Sequence, residues 1–296
     1  MHPLSDPQVD PFRADLHCHT SCSDGSLEPK EIIDLAIKMG LSALAITDHD
    51  TVDAYKVAVP YAQEKNFCLG TGVEFSCEFS GHSVHILGYD FSLDNVDFIS
   101  YCTRQQEKRL LRNREILEKL SQIKIFVQEE ELLQIHHKAS TLGRPHIAAM
   151  MVRKGYVKSI QEAFQFYIGD GKRCFVPGEP FPVVEAIAVI HQAGGKAFLA
   201  HPHLYTNGYL VQDVLQLPFD GLECFYGRSL AHQVKRWQKM AKRKSLLMSG
   251  GSDFHGDAKP HIYLGSSWVN RELFSSIFEK NLVVAPQQTL ANQSEL

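Results

Sequence analysis

The stretch ADLHCHTSCSDG, residues 14–25, places His17 and His19 one residue apart and Asp24 five residues further on. Side chains alternate between the two faces of an extended strand, so both histidines point the same way and Cys18 points the opposite way. Two imidazoles on one strand face suit two ligand positions on one metal ion. Taken by itself, the pattern is equally compatible with a surface strand that carries histidines.

The composition is that of a globular chain with a substantial core. It has 296 residues, 44% of them hydrophobic, and a net charge of -4. This length suits one large α/β domain or one domain with an insertion. The charge balance indicates no general nucleic-acid surface, although a local patch is compatible with it. There is no leader pattern after Met1 and no apolar run of the ~20 residues that cross a bilayer, which predicts a cytoplasmic protein without membrane partners. The seven cysteines contain no C-x-x-C pair, which argues against a disulfide framework or a thiolate zinc site.

Short apolar runs alternate with amphipathic runs in two parts of the chain, which predicts β-α-β units and a mainly parallel sheet covered by helices. Between them the pattern predicts one long helix followed by shorter ones. The expected organisation is an N-terminal lead-in at 1–12, a main α/β domain formed by 13–93 and 179–270, a helical insertion domain at 94–178, and a C-terminal segment at 271–296.

Six apolar strand patterns deliver His, Asp or Glu at or near their carboxyl ends. The residues are His17 and His19 with Asp24, then His49, Glu74, His85, His201, and Asp253 with His255. Ligands bind at the carboxyl ends of parallel strands, so we expect these side chains to converge there. Imidazole and carboxylate without thiolate suit Mn²⁺, Zn²⁺ or Fe²⁺. The sequence therefore predicts a site for two or three divalent metal ions.

The same residues stand in motifs that closely resemble those of the PHP (polymerase and histidinol phosphatase) superfamily. The motifs are DLHCHT (15–20), SDG (23–25), ITDH (46–49), GVE (72–74), His85, AHP (200–202) and SDFH (252–255). With TLGRPHIA (141–148), the chain is similar to the stand-alone TrpH-like or RNase AM-like branch. The resemblance implies a distorted (β/α)₇ barrel and a phosphoesterase acting on nucleotides, as a 3′,5′-bisphosphonucleotide phosphatase or a 5′-3′ exoribonuclease.

The resemblance also assigns nine metal ligands to three ions. One ion would take His17, His19, Glu74 and Asp253; a second would share Glu74 and take His85 and His201; the third would take Asp24, His49 and His255. Two ions ~3.5–4 Å apart could hold a bridging hydroxide. We expect that hydroxide to attack phosphorus directly, without a phospho-enzyme.

Three residues of the helical segment are candidates for binding the substrate, a nucleotide or a 5′-phosphorylated oligonucleotide. Arg144 presents a planar fork that pairs with phosphate oxygens, although a solvent-exposed helix residue is the alternative. His146 and Lys172 are the further candidates. The basic run KRLLRNR (108–114) could contact RNA, or it could be a solvated face paired with neighbouring glutamates.

Three other functions fit parts of the pattern. A histidinol-phosphatase-like enzyme would act on a non-nucleotide metabolite, against which the Arg144 motif argues. A metal-dependent hydrolase of another bond, such as an amide, commonly adds a lysine at a strand end, and no lysine stands there. A non-catalytic accessory PHP module would accompany a long polymerase chain, whereas this chain has 296 residues.

Overall fold

The computed structural model describes residues 10–135, 139–179, 181–205 and 208–284. The strands are β1 Ala14–Cys18, β2 Ala43–Ile46, β3 Cys68–Gly70, β4 Gly72–Phe79, β5 His82–Tyr89, β6 Lys196–Leu199, β7 Gly221–Tyr226, β8 Leu247–Gly251 and β9 Leu282–Val284. The α-helices are α1 Pro29–Lys38, α2 Tyr55–Lys65, α3 Val96–Gln122, α4 Glu129–Ile135, α5 Arg144–Arg153, α6 Ile160–Ala163, α7 Val183–Gln192, α8 Gly208–Val214, α9 Ala231–Lys244 and α10 Arg271–Ile277. None of the helices in these ranges has the length and hydropathy needed to cross a bilayer.

Local sequence signals explain the first helix. Pro29 occupies its first turn, where a missing N–H costs nothing, and the backbone N–H of Glu28 donates to Glu31 at 2.8 Å. Gly40 follows the helix with a φ of +68°, a conformation that glycine adopts without steric cost. These local signals account for a helix that begins at Pro29 and ends before Gly40.

The strands form two sheets of mixed direction. One sheet has the order β1-β2-β3-β9 and the other the order β4-β5-β6-β7-β8. Parallel pairing joins β1 to β2 to β3 and β6 to β7 to β8, as the alternating pattern predicted. The pairs β4–β5 and β5–β6 are antiparallel, because β4 and β5 form a hairpin that turns at Ser80 and Gly81.

The expected (β/α)₇ barrel is not formed, because the two sheets do not close into one ladder. A break at Thr71 puts β3 and β4 in different sheets, and β1 shifts register between Asp15 and Cys18. Between the sheets, isolated bridges pair Cys18 with Phe254 and His49 with Glu74. These bridges lie at the carboxyl ends of the strands, so that the predicted ligands of both sheets face one another.

The described residues between Val96 and Ile168 form helices α3 to α6 with short connections, as expected, and end in a π-helical turn at Phe164–Ile168. Many of their apolar side chains, including Ile116 and Met151, form a cluster of their own. A separate insertion domain is not shown, since the first turns of α3 belong to the main core through Phe98 and Tyr101. The boundaries at 94 and 178 stay a prediction.

Candidate metal centre

All nine predicted ligands lie together around the buried carboxylate of Glu74, most of them at the carboxyl ends of strands and Glu74 and His85 within β4 and β5. Five imidazoles approach its two oxygens, at 3.2 Å for His17 Nε2, 3.0 Å for His19 Nε2, 3.4 Å for His49 Nδ1, 2.8 Å for His85 Nδ1 and 2.9 Å for His201 Nε2. Glu74 is 1% exposed. The Glu74 carboxylate therefore lies at the centre of the cluster, where its two oxygens face imidazoles on several sides.

Three groups of potential ligand atoms within 4.8 Å of one another are present in the described residues. They are His17, His19, Glu74 and Asp253; His19, Asp24, His49 and His255; and His49, Glu74 and His85. The first group is the predicted first set. The second adds His19 to the predicted third set. The last group differs from the predicted second set, because it contains His49 where the prediction has His201.

The donor set fits divalent cations. Its ligand atoms are imidazole nitrogens and carboxylate oxygens, which suit borderline and hard metals. His19 Nε2 is buried without a hydrogen-bond partner in the described chain, although Glu74 Oε2 is 3.0 Å away. A nitrogen and an oxygen that face each other in this way suit two ligands of one cation.

The carboxylates of the cluster are held in the ionised form that metal ligands require. Burial by itself would raise the pKa of Glu74, but the imidazoles, first His49 and then His17, hold it well below its usual value. Burial likewise opposes ionisation of Asp24, whose pKa His255 and His49 keep well below the ordinary range. Ionised carboxylates in a buried space favour cations.

Glu223 orients two of the histidines from behind. Its Oε1 accepts a hydrogen bond from His17 Nδ1 at 2.9 Å, and its Oε2 accepts from the backbone N–H of His201 at 2.6 Å. Because Nδ1 donates to Glu223, a neutral His17 would present the lone pair of its Nε2 to a metal ion. Sequence reasoning missed Glu223, although a glutamate within the apolar strand β7 is a detectable anomaly.

Tyr226 and Lys259 were also missed, and both contact Asp253. The Tyr226 hydroxyl donates to Asp253 Oδ2 at 2.8 Å, and Lys259 Nζ lies 2.8 Å from the same oxygen. Asp253 Oδ1 remains on the side of His17, at 3.4 Å from its Nε2. One oxygen of Asp253 is therefore held by the protein while the other faces the centre.

Other acidic residues near the cluster have structural partners. Asp15 accepts hydrogen bonds from the backbone N–H groups of Ser252 and Gly265, at 2.9 and 2.8 Å. Asp48 accepts from the N–H of Thr20 at 2.7 Å and fixes the loop that carries Asp24. Both carboxylates therefore brace the backbone of the site.

The backbone is left-handed at three non-glycine residues near the cluster. Asp50, His201 and Asp253 have φ values of 52°, 27° and 58°. Residues held in such sparsely populated regions cost about 1–3 kcal/mol each and persist only where the surroundings impose them. At His201 and Asp253 this geometry carries the side chain toward the centre of the cluster.

A cavity of about 250 Å³ opens beside the cluster, and we name it the metal-side cavity. Its lining combines the predicted ligands with four cationic side chains. The ligands in the lining are Asp24, His49, His85 and His255, and the cationic residues are Arg109, Arg112, Arg144 and Lys259. Arg112 Nε is buried without a partner in the described residues, and burial lowers the pKa of Arg112 to about 9. A buried guanidinium group without a partner in the cavity lining suits an anionic ligand.

The three candidate substrate residues are placed differently. Arg144 lines the metal-side cavity, with its guanidinium carbon 5.7 and 5.4 Å from the ring centroids of Phe164 and Phe175. Its Nη1 donates to Asp170 at 2.6 Å, and that carboxylate is largely exposed. His146 also lines it, but its Nδ1 accepts from the N–H of Gly143 and its Nε2 lies 2.8 Å from a backbone oxygen. Lys172 is exposed and is not among the lining residues.

The basic run of α3 is mostly paired. Lys108 lies 3.1 Å from Glu179, and Arg114 Nε donates to Glu129 at 2.7 Å. Arg109 Nε donates to the buried carboxylate of Asp50. These pairs favour the alternative of a neutralised helix face over an RNA-binding track.

His203 lies near the cluster without a hydrogen-bond partner in the described chain. Both of its ring nitrogens are buried, its ring centroid is 4.1 Å from that of Tyr226, and burial lowers the pKa of His203 to about 4. The sequence places it two residues after His201 in the same loop. It is therefore a neutral imidazole with two unused nitrogens.

Comparisons with known proteins agree with this geometry. The PHP domain family matches residues 15–171. The 5′-3′ exoribonuclease of Haemophilus influenzae is 35% identical over 249 residues, covering 81% of this chain and 89% of the relative. The 3′,5′-nucleoside bisphosphate phosphatase of Chromobacterium violaceum is 30% identical over 246 residues, covering 81% and 86%. A crystal structure from Bifidobacterium adolescentis superposes with a TM-score of 0.81 at 28% identity, covering 89% of this chain and 94% of that protein.

The chain belongs to the PHP domain family. It is a metal-dependent phosphoesterase of that family, a hydrolase that acts on phosphoric ester bonds. The resemblance drawn from the sequence motifs is confirmed.

Proposed function

We propose that this phosphoesterase acts on nucleotides, either removing phosphate from 3′,5′-bisphosphonucleosides or releasing nucleotides from the 5′ end of RNA. The observation that carries the proposal is the metal-side cavity, where cationic side chains face the histidine and carboxylate cluster. A phosphate ester fits between two such walls, since it carries negative charge on several oxygens. The names of the relatives from Haemophilus influenzae and Chromobacterium violaceum support the nucleotide class.

The nine clustered residues are proposed to hold two or three divalent ions, with Mn²⁺, Zn²⁺ and Fe²⁺ as candidates. Bound ions would neutralise phosphate charge and lower the pKa of water. The chain's own contribution is orientation. Glu223 fixes the tautomer of His17, and Tyr226 with Lys259 holds one oxygen of Asp253.

Arg144 and Arg112 are proposed to bind the phosphate oxygens. Both guanidinium groups line the metal-side cavity, and a planar fork pairs with two phosphate oxygens at once. We assign His146 to positioning, because its ring nitrogens already contact Gly143 and the backbone oxygen of Ser23. His203 is a further candidate for a substrate contact, since both of its nitrogens are unused.

Water is proposed to attack phosphorus directly, with inversion and no covalent phospho-enzyme. Hydrolysis of a substrate whose phosphoryl group is made chiral with oxygen isotopes should invert the configuration at phosphorus. Retention of configuration would mean that a side chain attacks first.

The substrate is tested by product analysis with Mn²⁺-loaded protein. Adenosine 3′,5′-bisphosphate, AMP and a short 5′-phosphorylated RNA would be compared. Phosphate from the bisphosphate alone indicates a small-molecule phosphatase, and stepwise mononucleotide release indicates an exonuclease. Inactivity on all three contradicts the nucleotide proposal and favours a non-nucleotide phosphate ester.

A further inference from the structure

Helix α9 carries a concentrated positive charge that has no carboxylate partner among the described residues. We define its basic face as Lys235, Arg236, Lys239, Lys242 and Arg243. At 3.6 residues per turn these five positions share one side of the helix, opposite the buried Val234, Trp237 and Ala241. All five are exposed.

The charge of this face is not neutralised by neighbouring acids. In residues 10–135, 139–179, 181–205 and 208–284, no carboxylate lies within ion-pairing distance of these five side chains. Helix α3 is the contrast, since Lys108, Arg109 and Arg114 all pair with carboxylates. A basic helix face without acidic partners is the electrostatic footprint of a polyanion-binding surface.

The surface beside the basic face is concave and has an aromatic neighbour. A depression of about 480 Å³ is lined by Lys235, Lys239 and Arg243 together with Gln212 of α8. Tyr209, three residues before Gln212 on the same side of α8, is 77% exposed. Basic grooves with aromatic rings nearby on which bases can stack are typical of surfaces that bind single-stranded nucleic acid.

The start of α9 lies close in the chain to a second cavity that adjoins the metal-side cavity. This second cavity of about 590 Å³, the side cavity, shares Phe164 and Lys259 with the metal-side cavity and extends to Arg228. Arg228 follows the carboxyl end of β7 and precedes the first residue of α9 by three positions. Helix α9 then runs for 14 residues, or ~21 Å, away from that edge.

We propose that the basic face of α9 binds the backbone phosphates of a single-stranded RNA whose terminal phosphate lies in the metal-side cavity. The proposal rests on the proposed function and makes this chain act on oligonucleotides as well as on small bisphosphates. A membrane surface is a poorer occupant, because the apolar side of α9 is buried in the core and cannot enter a bilayer.

The test is a charge-removal variant that leaves the site intact. Lys235→Gln, Lys239→Gln and Arg243→Gln are combined in one protein, and Lys38→Gln, Lys124→Gln and Lys158→Gln form the matched control at exposed positions elsewhere. Binding of a phosphorothioate RNA of about twelve nucleotides is followed by fluorescence anisotropy over a range of salt concentrations, using the metal-loaded full chain. Hydrolysis of adenosine 3′,5′-bisphosphate is measured in parallel.

The α9 variant should bind the RNA about tenfold more weakly, and its salt slope should fall by about 2, since each phosphate contact on a single strand contributes about 0.7. The control should bind as the unchanged protein does, and the bisphosphate should be hydrolysed equally by all three. Equal RNA binding by the α9 variant and the unchanged protein would overturn the proposal.

Failure of the proposed function gives a different result. If the unchanged protein hydrolyses neither the bisphosphate nor RNA, the nucleotide proposal is wrong. The anisotropy comparison does not depend on turnover, so it still decides whether the basic face of α9 binds RNA.

Discussion

Replacing Glu223 by glutamine is expected to weaken metal binding by about ten- to a hundredfold while the fold is kept. Glu223 accepts two hydrogen bonds, from His17 Nδ1 and from the backbone N–H of His201. A glutamine side chain has one acceptor and one donor end, so it can satisfy only one of these partners. If its oxygen faces His201, its NH₂ group meets His17 Nδ1 and drives the proton to Nε2.

The proton on Nε2 is the source of the expected loss. His17 Nε2 lies 3.2 Å from Glu74 Oε2, on the side of the cluster where a metal would bind. A protonated Nε2 has no lone pair to offer a metal ion. Turning the glutamine so that its oxygen faces His17 would restore the lone pair, but it would then place the glutamine NH₂ group against the backbone N–H of His201. The expected weakening corresponds to about 1.4–2.8 kcal/mol, because each tenfold change is about 1.4 kcal/mol.

The assay is the Mn²⁺ concentration that gives half-maximal hydrolysis of adenosine 3′,5′-bisphosphate, together with the metal content after gel filtration. Glu185→Gln on the exposed side of α7 is the matched control and should leave both values unchanged. The activity of Glu223→Gln should recover largely at high Mn²⁺. Half-maximal Mn²⁺ equal to that of the unchanged protein would refute the argument that Glu223 fixes the tautomer of His17.

Arg144→Ala should lower kcat/KM by about ten- to a hundredfold, because a charge-assisted hydrogen bond of about 1.5–3 kcal/mol is lost. Lys172→Ala, at an exposed position, should leave kcat/KM unchanged. Equal kinetics for both variants would contradict a phosphate contact by Arg144. Arg109→Ala should lower the free energy of unfolding in urea by about 3–5 kcal/mol, because it leaves the buried Asp50 unpaired. Adding Asp50→Asn should recover part of that loss, and no recovery would argue against the pair. Chelation should abolish hydrolysis and lower Tm, since metal at roughly a hundred times its Kd contributes about 2.7 kcal/mol; activity that survives complete metal removal would contradict a metal centre.

The convergence of the nine cluster residues could be predicted because it depends on local patterns. Each residue follows an apolar run at or near its carboxyl end, and parallel strands bring those ends to one edge. The same reasoning did not find Glu223, whose partner His17 is 206 positions away in the chain. Lys259 was missed for a similar reason, since the loop after His255 carries no periodic signal that places a side chain.

Whether the strands close into a barrel could not be predicted from the sequence, because closure depends on hydrogen bonds between strands that are distant along the chain. The apolar pattern across 66–79 shows a strand, but it does not show that the chain changes sheet at Thr71. The ion pairs of α3 could not be predicted either, because Glu129 and Glu179 are distant from the basic run along the chain. Local pattern thus predicts which residues meet more readily than how the sheets join.

The left-handed backbone at His201 and Asp253 limits how far this protein can be made heat-resistant. Substitution by glycine normally relieves a positive φ, and it is a standard route to a more stable variant. Here the same substitution would delete an imidazole or a carboxylate of the cluster. Directed evolution for thermostability should therefore accumulate changes in α1, α2 and the exposed helix faces, and leave these two positions untouched even though each carries about 1–3 kcal/mol of conformational energy.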